Sequence, residues 1–369
     1  MTMEDMLLKN EERAILSLRS LYRSYGYLPY KMSKFEEYDL YVRNKDFLVS
    51  DRIITFNDTS GRLMALKPDV TLSIIKNGED ETGVKQKVCY NENVYRVSDS
   101  THQYKEIMQA GLECVGDIDS YDVFEAVLLA AKSLSLISED FVLDVGHLGI
   151  LEALLEDAGA DKRARREIAA CVASRSRHGL EETCRAYGIS EDSVNRLCDF
   201  VGIYGEMQSV IERLEPLCES EGARVALEEL KELASLLSAT PLASRIRFDF
   251  SIVNDMSYYN GIVFRGFLSG ISSGILSGGR YDKLLHRMGR RAGAVGFAIY
   301  LDLLEGTESA GEGYDVDVLL LSGEDTPRAL LAETVERLTA AGKRVSVQKA
   351  IPKKLRYREL MDCRGGKLV

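Results

Sequence analysis

Apolar residues recur at helical spacing near the N-terminus and through a long central segment, whereas alternating patterns typical of strands lie on both sides of that segment. Residues 3–25 predict one helix, which Gly26 ends. Residues 51–115 predict mainly strands, with a turn at 57–61 and a short helix after Pro68. The pattern therefore indicates an α+β fold in which an antiparallel sheet is flanked by helices.

The helical spacing dominates the middle of the chain. It covers residues 121–135 and 147–238, and strand patterns resume after Pro241. Because sheet patterns lie on both sides of this helical segment, we expect one discontinuous domain over residues 1–305. A helical insertion at about 150–240 interrupts it.

A polar, glycine-rich stretch at 306–313 predicts a linker to a second domain at 314–369. Within that domain, two apolar runs on either side of a helical pattern predict a small α/β unit with a right-handed β-α-β crossover. Basic residues near its end are interpreted as a solvated helix face with snorkelling stems: Lys349, Lys353, Lys354, Arg356 and Arg358.

Composition narrows the class of protein. With 369 residues, 45% of them apolar, the chain has enough apolar residues to fill more than one hydrophobic core. Seven cysteines without CxxC spacing argue against a disulfide framework and a structural zinc site, so no metal or cofactor is expected. Neither a secretory leader nor an apolar run of about 18 residues is visible, which predicts a cytoplasmic protein without a membrane anchor. A net charge of −11 disfavours nucleic-acid binding.

Two short stretches carry polar side chains at spacings that suit a binding site. Asp69 and Thr71 lie two positions apart after a predicted strand, although an aspartate there is equally a helix cap. Gln109 and Glu113 lie four positions apart in a predicted strand and so share one face. Gly111 between them would allow a ligand to approach the backbone.

A third stretch, NDMSYYNGIVF at residues 254–264, places two aromatic hydroxyls beside an Asn-Gly turn signal. It either lines a site or closes a hairpin. In an extended chain, Tyr258 and Tyr259 would point to opposite faces, so that one of them at most would meet a ligand unless the turn bends the chain. His147, which lies between glycines, is interpreted as a structural hydrogen-bonding residue rather than a catalytic base.

The order of the motifs resembles the histidyl-tRNA synthetase family over most of residues 1–305. The motifs are KPDVT, Tyr95-Arg96, QAGLE, SYYNGIVF, SGGRYD at 277–282 and AVGFAIYLDLL. The resemblance implies a class II synthetase core that dimerises through its first motif, and a truncated version of the family's anticodon-binding domain at 314–369. It also implies a histidine pocket formed by Asp69, Thr71, Gln109, Glu113, Tyr258 and Tyr259.

The resemblance breaks where the synthetase family holds ATP. The family pattern implies arginines at the positions of Leu303, Asn254 and Gln103. Planar guanidinium groups bind phosphates in bidentate fashion, and losing one transition-state donor costs about a hundredfold or more in rate. Arg96 and Arg280 remain as possible anion contacts. We therefore expect no adenylation activity, and we predict that the protein is not an enzyme.

A retained pocket without the catalytic cations resembles the regulatory subunits of ATP phosphoribosyltransferase, to which the segment DVGHLG at 144–149 is also similar. The resemblance implies a hetero-oligomer in which the chain activates the short catalytic subunit at the first step of histidine biosynthesis and relays feedback by histidine. Asn254 and Asp255 replace an Arg-Gly pair common in these subunits, which leaves recognition of the histidine carboxylate open. The alternatives are a divergent histidyl-tRNA synthetase and a scaffold protein on the same core.

Overall fold

The computed structural model describes residues 10–44, 53–78, 81–98, 101–253, 258–304 and 314–365. The chain divides into two compact units, Met1–Thr307 and Glu308–Val369. The predicted linker at 306–313 lies outside the described residues. No helix within the described ranges is both long and apolar enough to cross a membrane.

The larger unit is organised by its sheets. Its strands are β1 (Leu28–Pro29), β2 (Phe35–Glu37), β3 (Thr55–Asn57), β4 (Leu63–Leu66), β5 (Lys85–Val97), β6 (Tyr104–Gly116), β7 (Phe141–His147), β8 (Tyr204–Gly205), β9 (Ile246–Asp249), β10 (Ile262–Leu268), β11 (Leu276–Arg280) and β12 (Gly293–Tyr300). Within the described part of the chain, nine strands form one sheet in the order β1-β5-β6-β12-β11-β10-β7-β9-β8, and β2-β4-β3 form another. Neighbours in the large sheet pair antiparallel except β1 with β5 and β7 with β9. The predicted α+β class is confirmed.

Helices of this unit pack against the large sheet. They are α1 (Asn10–Ser24), α2 (Tyr38–Arg43), α3 (Thr71–Lys76), α4 (Ser120–Ile137), α5 (Leu148–Asp157), α6 (Lys162–Ala173), α7 (Arg177–Ala186), α8 (Glu191–Val201), α9 (Met207–Leu214), α10 (Glu221–Ser238) and α11 (Asp282–Arg287). Helices α1 and α4 meet through Tyr22 and Ser133, whose hydroxyls lie 3.0 Å apart. A capping box of Asp119 and Asp122 begins α4, which satisfies backbone N–H groups that a helix start leaves unpaired.

Helices α5 to α10 follow one another between β7 and β9, with only the two-residue β8 among them. Their starts are defined by side-chain caps such as Asp161 on α6, Ser190 on α8 and Ser220 on α10. Each such cap contributes about 1 kcal/mol. The apolar stripe of α10 that contains Leu230 and Leu237 is fully buried, as helical spacing requires.

The smaller unit has its own parallel sheet, formed by β13 (Val316–Leu321), β14 (Val345–Gln348) and β15 (Tyr357–Asp362) with α12 (Arg328–Ala340) between the first two. β13 lies in the middle and pairs parallel with both others. The interpretation of the basic residues as a helix face is wrong. Residues 349–356 are described without helix, and Arg358 lies in β15, which the sequence analysis did not predict. Arg356 instead pairs with Asp315 at 3.1 Å.

Candidate functional site

Glu113 is the centre of the candidate site. It lies on β6 with only 2% of its surface exposed. The hydroxyl of Thr71 donates to its Oε1 at 2.8 Å, and the hydroxyl of Tyr281 donates to its Oε2 at 2.5 Å. Burial raises the pKa of Glu113 to about 8. At neutral pH its carboxyl group is therefore mostly protonated, and it can donate a hydrogen bond as well as accept one.

Glycines on neighbouring strands make room for this carboxyl group. Gly296 of β12 lies directly opposite Glu113, and a Cβ atom there would lie 1.7 Å from the Oε2 of Glu113. Gly279, next across in β11, would place a Cβ atom 2.8 Å from the ring of Tyr259. With Gly111 on the same face of β6, these glycines leave room for the side chains that pack directly over the strands.

Tyrosine rings form a wall beside Glu113. The ring centroids of Tyr258 and Tyr259 lie 4.7 Å apart, and those of Tyr258 and Tyr281 lie 5.7 Å apart. Tyr258 also shares a hydrogen bond with Thr71, and burial raises the pKa of Tyr258 well above its usual value. The hydroxyl of Tyr258 is thus neutral at physiological pH, and its hydrogen bond ties the tyrosine wall to the Thr71–Glu113 pair.

Among the described residues, the strands on either side of Tyr258 and Tyr259 do not form a hairpin with each other. β9 and β10, which flank the stretch that carries them, both pair with β7 and not with each other. Both tyrosines lie outside strands and pack against the same apolar cluster, so the opposite-face geometry of an extended chain does not arise. Asn254 and Asp255 of the same stretch lie outside the described residues.

Asp69 makes the helix-start contact that one of its two interpretations predicted. Its carboxylate accepts a hydrogen bond from the N–H of Leu72 at 2.9 Å, in the first turn of α3. Burial raises the pKa of Asp69, which that hydrogen bond and the nearby charge of Arg96 partly offset. Helix capping therefore holds Asp69 within electrostatic reach of Glu113.

Gln109 lies on the same face of β6 as Glu113, as its spacing predicted. The register places Gln109 opposite Tyr300 and Glu113 opposite Gly296 on β12. Gln109 is 3% exposed. The structure therefore places Gln109 further along the same strand. It brings the other five predicted residues into one contact network or its immediate surroundings: Asp69, Thr71, Glu113, Tyr258 and Tyr259.

The two possible anion contacts have separate surroundings. Arg96 donates to the carbonyl of Pro68 at 3.0 Å, so it stays beside Asp69. Arg280 pairs with Asp282 at 2.7 Å and lines another cavity, of about 540 Å³. Arg96 thus belongs to the surroundings of the site, whereas Arg280 is held by its own carboxylate.

Sequence reasoning missed Tyr281 and a buried ion pair near the site. Tyr281 lay within the quoted SGGRYD motif, where an aromatic hydroxyl directly after a strand was the available signal. The ammonium group of Lys67 is fully buried and lies 3.0 Å from the carboxylate of Glu92. Burial lowers the pKa of Lys67, and the Glu92 carboxylate opposes that shift.

His147 has the structural role that its position suggested. Its Nδ1 accepts a hydrogen bond from the N–H of Gly149 at 3.1 Å, which caps α5. Its Nε2 lies 2.9 Å from the carboxylate of Glu229. Because Nδ1 is an acceptor, the proton lies on Nε2 and is donated to Glu229.

The fold and the pocket together define a class II synthetase-like protein of the histidyl type. The family model described as histidyl-tRNA synthetase matches residues 3–304. A histidyl-tRNA synthetase structure from Nostoc is 20% identical with a TM-score of 0.69, covering 93% of this chain and 83% of that chain, and shares the fold.

Relatives with higher sequence identity to this chain belong to one group within that class. The ATP phosphoribosyltransferase regulatory subunit from Clostridium kluyveri is 30% identical over 306 residues, which cover 81% of this chain and 78% of the relative. A solved ATP phosphoribosyltransferase regulatory subunit/histidyl-tRNA synthetase from Bacillus halodurans is 25% identical with a TM-score of 0.77, covering 96% of this chain and 94% of that one. This chain belongs to the family of ATP phosphoribosyltransferase regulatory subunits, which confirms the resemblance found in the sequence.

Proposed function

We propose that this chain is a non-catalytic regulatory subunit that binds the short catalytic subunit of ATP phosphoribosyltransferase, activates it and relays inhibition by histidine. Family membership carries the proposal. The pocket around Glu113 supports histidine as the effector, because it combines a buried carboxyl group with hydroxyl donors and aromatic walls.

The pocket residues suit the functional groups of histidine. A protonated Glu113 donates to an unprotonated imidazole nitrogen, while the rings of Tyr258 and Tyr259 contact the flat faces or edges of the imidazole. The amino group of histidine is positively charged, and a carboxylate is its strongest partner. Asp69 and the amide oxygen of Gln109 are the acceptors proposed for it.

The position of Leu303 supports a role outside ATP chemistry. The synthetase pattern implies an arginine there. In this chain, the hydrocarbon side chain of Leu303 instead lines a cavity beside the Glu113 pocket. A leucine supplies no hydrogen bond to a phosphate. Phosphoribosyl transfer is accordingly assigned to the catalytic partner and not to this chain.

Relay of inhibition requires a difference in affinity between two states. Histidine can shift the complex towards an inactive arrangement only if it binds that arrangement more tightly than the active one. A tenfold difference corresponds to about 1.4 kcal/mol. The same coupling predicts that the catalytic partner changes the affinity of this chain for histidine by the same factor.

Calorimetry of the full chain with histidine tests the pocket. Glu113→Ala and Gln109→Ala should each weaken binding by at least about tenfold, since each removes a buried polar contact. Glu139→Ala is the matched control, because Glu139 is an exposed glutamate outside helices and strands. Equal affinities in all four proteins would refute the pocket.

A reconstituted complex tests the regulatory role. Adding this chain to the short catalytic subunit should raise phosphoribosyl transfer to ATP, and histidine should reverse the increase. The isolated chain should show no exchange between ATP and pyrophosphate. Exchange, or formation of an aminoacyl adenylate, would instead identify a divergent synthetase.

Self-association through the class II core is part of the same proposal. Light scattering coupled to size-exclusion chromatography should give the mass of a dimer for the isolated chain. A monomer at micromolar concentration would exclude this part while leaving the regulatory role open to the reconstitution assay.

A further inference from the structure

A cavity of about 400 Å³ opens beside the Glu113 pocket, separate from the one that Arg280 lines. Its walls are mostly apolar and aromatic: Ile107, Ile252, Val263, Tyr259 and Tyr300. Cavities of this size, lined by hydrophobic groups with a few polar ones, are typical of sites for small molecules. Glu113 and Thr71 do not line this cavity, which shares only Tyr259 with the predicted pocket.

Arg265 brings a positive charge into this cavity. It lies on β10, where the register places it between Asp144 of β7 and Ser277 of β11. Its side chain is half-buried, and within the described residues it forms no ion pair or hydrogen bond through its guanidinium group. A half-buried cation that lacks an ion-pair or hydrogen-bond partner is costly, and an anionic ligand would offset that cost.

The guanidinium group is held in position by its surroundings. A Cβ atom at Gly274 would lie 2.5 Å from the Nε of Arg265, so the side chain runs along the bare backbone at Gly274. The guanidinium carbon lies 5.9 Å from the centroid of the Phe267 ring, within the range of a cation–π contact. A cation fixed in this way loses little freedom on binding a ligand.

The charges around Arg265 limit the ligand to one negative charge. Asp302 lines the same cavity, so a phosphate with two charges would meet one cation and one carboxylate. Leu303, also in the lining, adds no cation. Asp144, the register partner of Arg265 on β7, forms no ion pair with it among the described residues, and burial raises the pKa of Asp144 to about 6.

We propose that this cavity binds a small organic monoanion, with Arg265 and Ser277 holding a carboxylate and the aromatic and aliphatic walls holding an apolar body. The site is distinct from the pocket proposed for histidine and does not depend on that proposal. It gives the regulatory subunit a place for a second small effector.

Phenylpropionate and its neutral analogue phenylpropanol are the probes, titrated into the full chain by calorimetry. The carboxylate should bind at least about tenfold more tightly than the alcohol, because a hydrogen bond to a charged group is lost in the alcohol. Arg265→Met should abolish this preference. Gly274→Ala should reduce it, since the new methyl group displaces the guanidinium while the charge remains.

Lys162→Met is the matched control, an exposed lysine on α6 that changes the net charge equally. Circular dichroism checks that every variant is folded. Equal binding of carboxylate and alcohol, or an unchanged preference in Arg265→Met, would overturn the proposal. Tighter binding of ATP than of phenylpropionate, lost in Arg265→Met, would overturn the limit to one charge. Histidine binding should be the same in Arg265→Met as in the parent, and its loss would overturn the claim of a separate site.

Discussion

Replacing Glu113 by glutamine should change how the stability of the chain depends on pH. The substitution keeps the shape of the side chain and a hydrogen-bond acceptor for Thr71, but it removes the titrating proton. Burial raises the pKa of Glu113 from 4.5 to about 8 in the folded chain. Between these pH values, the folded state binds a proton that the unfolded state does not bind.

The sign and the size of the effect follow from that difference. In the parent chain, the contribution of Glu113 is fully present below pH 4.5 and is lost as the pH rises towards 8, because the buried carboxyl group must then ionise. The loss amounts to about 1.4 kcal/mol per pH unit midway between the two pKa values, or roughly 3 to 4 kcal/mol between pH 5 and 8. Glutamine does not ionise, so the stability of the variant lacks this dependence on pH. The variant should therefore gain stability relative to the parent as the pH rises.

Urea unfolding followed by far-ultraviolet circular dichroism measures the comparison at pH 5, 6, 7 and 8. Asp144, whose pKa is also raised by burial, occurs in both proteins and largely cancels in the difference. Glu139→Gln serves as a control in an exposed position. A difference between variant and parent that stays constant within about 0.5 kcal/mol over this range would refute a protonated Glu113.

Three further substitutions test the construction of the site. Tyr281→Phe removes the donor to the buried carboxyl group of Glu113 and should cost about 1–3 kcal/mol in chemical unfolding. Gly296→Ala places a methyl group against that carboxyl group, so calorimetry should find histidine binding lost and thermal unfolding a lower Tm. Lys67→Met leaves the carboxylate of Glu92 without its partner and should cost about 3 kcal/mol, whereas adding Glu92→Leu should restore most of that loss. A double variant no more stable than Lys67→Met would contradict the ion-pair explanation.

The sequence predicted the parts of the fold that have strong periodicity. The helical spacing of α10 and the strand parity that joins Gln109 to Glu113 both reappear in the structure. The sequence did not predict β15 because this strand lies at an edge of its sheet with exposed or half-buried side chains, so its residues do not alternate in hydrophobicity. The basic residues around it were therefore assigned to the wrong element.

The site was harder to predict because it depends on contacts between distant positions. The hydrogen bond from Tyr281 to Glu113 joins residues 168 positions apart, which no local pattern encodes. Tyr258 and Tyr259 lie outside strands, so the alternation rule for an extended chain does not apply to them. Residue type and order indicated most members of the site, whereas the partners of each member came only from the structure.

The pairing of β6 with β12 also bears on how the chain is made. Glu113 and Gly296 lie opposite each other but about 180 positions apart in sequence. A ribosome that adds about 5–20 residues per second completes β6 roughly 10 to 40 seconds before its central partner exists. During that interval the nascent strand exposes an unpaired edge that other chains can join. Production of this protein should therefore depend on chaperones that shield the growing polypeptide until the last strands emerge.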